Sequence, residues 1–93
     1  MEYFTESDEM AAAKAQKLIA DIPLMPGITG IRVEPYTDNT GDPSLRLIFS
    51  MSKDVNFGKD FLAQFREFSF DVQTKILHSD LNRFPYTKLQ EAA

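Results

Sequence analysis

The chain has 93 residues, 43% of them hydrophobic and 26% charged, a balance that suits one globular domain and leaves no room for two. It carries no cysteine, which excludes a disulfide framework. The net charge of −4 resides wholly in Glu2, Glu6, Asp8 and Glu9, since elsewhere ten acidic residues match ten basic ones, and a neutral body argues against both a basic nucleic-acid stripe and an acidic DNA mimic.

The opening "MEYFTESDEM" is acidic and polar where a secretory signal is basic and apolar. No apolar run approaches the roughly 20 residues that span a bilayer. A cytoplasmic chain with no membrane segment is expected, folded as one domain over residues 1–93 with frayed ends at 1–6 and 90–93.

The first predicted element is a helix from about Ser7 to Asp21. The Ser7 hydroxyl suits an N-cap, and Asp8 and Glu9 favour the positive end of the helix dipole. Ala11, Ala15, Leu18 and Ile22 form its apolar stripe, widened by Ala12 and Ile19, and Pro23 ends it.

"IRVEPY" predicts a first strand with Ile31 and Val33 on one face and Arg32, Glu34 and Tyr36 on the other. Pro35 cannot donate to a ladder, which marks an edge strand or a bulge. "LRLIFSM" is the clearest strand, pointing Leu45, Leu47, Phe49 and Met51 to the core and Arg46, Ile48 and Ser50 to a partly wet face. The turn "TDNTGDPS" joins the two as an antiparallel hairpin, with Glu34 and Arg46 suited to pair across it.

A long second helix is expected from near Asn56 to about Ser79, capped by Asp54 or Asn56. Phe57, Phe61, Phe65, Phe68, Val72 and Ile76 fall within roughly 100° of arc and define its core face. Phe70, Leu77 and Leu81 lie on the other side of the same wheel, and a second apolar face calls for a second partner. "RFPYTKL" then offers a short third strand at an edge, parallel to the second. The fold class is α+β: two helices on one face of a two- or three-stranded, mostly antiparallel sheet, in the order α-β-β-α with an optional final β.

Chemistry is sparse. Asp38, Asn39 and Asp42 gather oxygens in the hairpin turn, but their spacing fails the EF-hand pattern, so no metal is expected there. His78 is the one histidine, beside Ser79 and Asp80 at a helix end, where consecutive residues cannot converge as a triad. The four glycines form no phosphate loop or dinucleotide fingerprint, so no cofactor, catalytic residue or enzyme activity is expected.

Two resemblances accompany these readings. The element order is similar to type II KH-like domains, although no G-x-x-G loop is present. "TGDPSLRLIF" followed by "RFPYTKL" resembles a group of small uncharacterised bacterial proteins with a T-G-[DE]-P turn before a strand and a terminal F-P or W-P segment. That resemblance implies action by binding a protein partner encoded alongside. The expected function is a non-catalytic interaction module, self-associating as a homodimer or binding another protein through Phe70, Leu77, Leu81, Arg46 and Tyr86; the alternative is a nucleic-acid-associated factor of KH-like topology.

Overall fold

A computed structural model describes residues 7–92. Helix α1 (Asp8–Ile19) is followed by strands β1 (Ile28–Thr37) and β2 (Pro43–Met51), helix α2 (Lys59–Leu77) and strand β3 (Pro85–Glu91). The sheet is open, in the order β1-β2-β3, with β1 antiparallel and β3 parallel to β2. This is the expected α+β arrangement, with the optional third strand present. The expectation of a frayed segment at 1–6 lies outside the described residues.

Each element has a local cause. Ser7 caps α1 by accepting the Met10 N–H at 3.2 Å, and the alanines beneath let the helix sit close on the sheet: Ala11 and Ala15 are fully buried. In β1 the register runs from Thr37 opposite Pro43 to Ile28 opposite Met51, with one irregularity between Ile28 and Gly30 and none at Pro35. Pro35 instead occupies the edge.

Helix α2 starts later than the sequence suggests. Residues 52–56 are spent on a turn closed by the Val55 N–H on the Ser52 carbonyl, so neither Asp54 nor Asn56 caps the helix; Gly58 does so, with no side-chain bond. Phe57 consequently stands before the helix and is exposed, outside the core face to which its spacing assigned it. From Lys59 to Leu77 the rod is continuous, since no proline or glycine interrupts it.

The core lies between the helices and one sheet face. Leu45, Leu47 and Phe49 of β2 are fully buried against Phe61, Val72 and Ile76 of α2, and α1 covers Val33 of β1. Phe49 meets Phe65 and Phe68 edge-on at 5.1 and 5.9 Å. Each fully buried ring of this kind contributes about 1.5–3 kcal/mol.

After α2 the chain turns sharply. The His78 N–H bonds the Thr74 carbonyl, Ser79 bonds back to Ile76, and Asn82 takes a left-handed φ of 57°. Leu81 is swung into the core at 6% exposure, so its assignment to an outward partner face is corrected: the helical wheel stops at Leu77 and no longer governs it. At the other end, Gln90 and Glu91 belong to β3, and Ala92 N–H bonds the Met51 carbonyl at 2.8 Å, where the sequence suggested fraying.

Candidate functional site

Alternation in the strands builds a second sheet face, away from the helices. The register aligns Glu34, Arg46 and Tyr86 across the three strands, with Arg32, Ile48 and Lys88 as the next row. Arg46 Nη2 and Nε both donate to Glu34 Oε1, at 2.8 and 3.1 Å, and the guanidinium lies 4.8 Å from the Tyr36 ring centre. The expected cross-strand ion pair is present. Ile48 is only 3% exposed although it faces this side, where Arg32 and Lys88 flank it across the strands.

Tyr86 meets Tyr36 edge-on at 5.5 Å and its hydroxyl donates to Asp38 Oδ2 at 3.2 Å. Asp38 also organises the hairpin turn: its Oδ1 accepts the N–H groups of Thr40 and Asp42 and the Thr40 hydroxyl, at 2.9, 3.0 and 2.6 Å. The Thr40 hydroxyl bond, with the backbone donors, holds the Asp38 carboxyl down at about 2. Burial, and then the Asp38 carboxylate beside it, push the Tyr86 phenol up. The side chains of Asp38, Thr40 and Ser44 thus bond within the turn and fix register, with Gly41 at a φ of 87° supplying the left-handed position. Among the described residues no group of three His, Cys, Asp or Glu side chains could hold a metal ion.

Helix α2 presents its own exposed apolar flank. Leu62, Arg66, Phe70, Gln73 and Leu77 share about 80° of arc at 3.6 residues per turn, and Gln73 orients that arc by donating to the Pro85 carbonyl at 2.8 Å. Phe70 is 65% and Leu77 50% exposed. At the corner where the chain enters β3, Phe84 is 48% exposed, lines a shallow groove of about 190 Å3 with Leu77 and Ile76, and tilts on Tyr86 at 4.8 Å.

The five residues singled out by sequence therefore separate. Leu81 is core. Phe70 and Leu77 lie on the α2 flank, and Arg46 and Tyr86 lie on the helix-free sheet face. Phe84, which the sequence marked only as part of an F-P dipeptide, joins the two groups into a strip running from Phe70 and Leu77 round to Tyr86 and Tyr36.

The sheet edges differ. On β1, Gln16 of α1 accepts the Val33 N–H at 2.9 Å and donates to the Ile31 carbonyl at 2.8 Å, so its amide closes the edge as a short strand would. Pro35 shares their parity and has no N–H to offer. On β3 the Gln73 bond occupies only the Pro85 carbonyl.

The chain matches no protein-family model, and no curated protein matches it. No helix among the described residues is long and apolar enough to cross a membrane.

Proposed function

We propose that the protein is a non-catalytic interaction module that binds protein, a copy of itself or another chain, through the strip around β3. The observation that carries this reading is the set of exposed apolar side chains Phe70 and Leu77 on α2 and Phe84 just before β3, beside an open strand edge. Water contact with exposed apolar side chains is unfavourable, and covering them with a partner recovers about 25 cal/mol per Å2 of apolar area. Sedimentation of the full chain from micromolar to millimolar concentration tests the reading. A rise in mass that the double substitution Phe70→Asp and Leu77→Asp abolishes supports it. A rise untouched by that pair overturns it, and no rise at any concentration overturns self-association and leaves a different chain as the partner.

A second reading, a nucleic-acid-associated factor of KH-like topology, draws on the helix-free face, where Tyr36, Phe84 and Tyr86 stand among Arg32, Arg46 and Lys88. Bases stack on such rings when basic residues track the backbone. Glu34 neutralises Arg46 there, and Asp38 engages Tyr86, which is why the protein-binding reading leads. A single-stranded RNA titration at low salt separates the two, since phosphate contacts give a steep loss of affinity with rising salt.

A further inference from the structure

Among the described residues, the hydrogen-bond parity of β3 leaves one usable strand edge. Leu45 N–H bonds the Phe84 carbonyl and Ala92 N–H bonds the Met51 carbonyl, so the even-numbered residues of β3 turn their backbone groups toward β2. The N–H and C=O of Thr87 and Leu89 therefore point outward, and β3 has no strand beyond it. Among the described residues nothing pairs with them. The opposite edge is closed by Gln16 and Pro35, so a head-to-tail join of β1 to β3 is blocked.

Resting on the interaction-module reading, we propose that the partner is a second copy of this chain, bound edge to edge through β3 in antiparallel pairing about a two-fold axis at Leu89, giving a six-stranded sheet. Identical free edges satisfy each other and then stop, as the one open edge among the described residues requires. The register follows from charge and from Gln73. An axis at Lys88 opposes two ammonium groups, which is unfavourable. An axis at Leu89 sets Lys88 against Gln90 and Thr87 against Glu91, and confines pairing to residues 87–91, so the Gln73 bond to Pro85 is retained. Thr87 is exposed and Leu89 half-buried on the helix side, so α2 leaves β3 incompletely covered there. A five-residue strand pair alone is small against the roughly 1,000 Å2 that a specific interface buries; the α2 flank beside the edge, with Leu62 and Phe70, contributes the remaining apolar area.

The experiment is sedimentation equilibrium of the full chain with two kinds of variant. Thr87→Pro removes an outward N–H that has no partner among the described residues, so the fold persists, checked by circular dichroism, while the dimer dissociation constant rises at least about tenfold. Because the chain lacks cysteine, Leu89→Cys forms a disulfide-linked dimer on mild oxidation, its two Cα atoms lying within the bridging range across the axis, whereas Lys88→Cys does not. If Thr87→Pro fails to fold, the cysteine pair decides alone. A monomer at all concentrations overturns the proposal. So does a dimer that Thr87→Pro leaves intact and Leu89→Cys does not link; should Phe70→Asp with Leu77→Asp still dissolve that dimer, the interaction-module reading survives while edge pairing falls.

Discussion

The Tyr86 hydroxyl donates to Asp38 Oδ2 at 3.2 Å, joining the tip of the β1–β2 hairpin to a strand 48 residues further along the chain. Asp38 also holds its own turn together through Thr40 and Asp42, so one carboxylate fixes both the hairpin register and the position of β3. The link also orients Tyr86 within the strip of exposed rings.

The two groups make stability depend on pH at opposite extremes, Asp38 chiefly through the Thr40 hydroxyl bond and Tyr86 chiefly through burial. The Asp38 carboxyl titrates at about 2 in the folded chain, below its ordinary value of 3.8, so its contribution is complete above the ordinary value and is lost as pH falls from there toward 2. Asp38→Asn is expected to flatten that acid limb. The Tyr86 phenol is raised above 10.0, so its contribution is present below pH 10 and lost at higher pH, and Tyr86→Phe flattens the alkaline limb. Thermal unfolding midpoints between pH 2 and 11 read both; parallel acid limbs for wild type and Asp38→Asn would refute the first.

Gln16 predicts a local loss. Replacing it with leucine keeps the volume but strands the Val33 N–H and the Ile31 carbonyl at the β1 edge, at a cost of about 1–2 kcal/mol. Urea denaturation measures the total, and hydrogen exchange localises it: the Val33 amide should exchange faster while the Leu47 amide, in the central strand, keeps its protection. The opened edge also becomes a template for foreign strands, so a lower solubility limit is expected.

The strands were legible because period-two alternation in "LRLIFSM" and the prolines at 35 and 85 carry their physics locally. α1 was legible from its cap and alanines. The errors at the two ends of α2 share one cause. Phe57 and Leu81 were assigned by extending a helical wheel past the residues that keep helical geometry, and the boundaries depend on turns at 52–58 and 78–82 whose side chains compete for the backbone. The roles of Gln16 and Gln73 were invisible, since a helix glutamine beside an apolar stripe looks the same whether it faces water or a strand edge. Phe84 became part of a surface only once the turn brought it beside Leu77 and Tyr86.

Gly27 should tolerate no side chain. Its φ of 94° is left-handed, and a Cβ there would lie 2.7 Å from Val55 Cγ2 and 3.0 Å from Phe61 Cε2. The conformation costs an L-residue about 1–2 kcal/mol before any clash. Phe61 is a core ring, so the clash pushes on the start of α2 as well. Gly27→Ala is expected to lower the unfolding free energy by about 2 kcal/mol or more, read from denaturant midpoints at constant slope. Gly41→Ala shares the positive φ but meets nothing within 4 Å, so it isolates the backbone cost alone. Equal losses at the two positions would refute the packing argument.

Leu81 and Phe70 looked equivalent on a helical wheel, and they should respond oppositely to the same substitution. Leu81 is buried beside Val72 and Ile76 in the core cluster, so Leu81→Asp places a carboxylate where no partner waits; the chain is expected to lose several kcal/mol and unfold near room temperature. Phe70 is mostly in water, and Phe70→Asp should leave the monomer's stability within about 0.5 kcal/mol, a surface substitution in energetic terms. Its effect should appear only where the strip is covered, as a weaker association measured by sedimentation. Denaturation at a concentration low enough to keep the chain monomeric separates the two: a large loss for Phe70→Asp under those conditions would mean that its ring supports the fold itself, and the strip would then have to be redrawn without it.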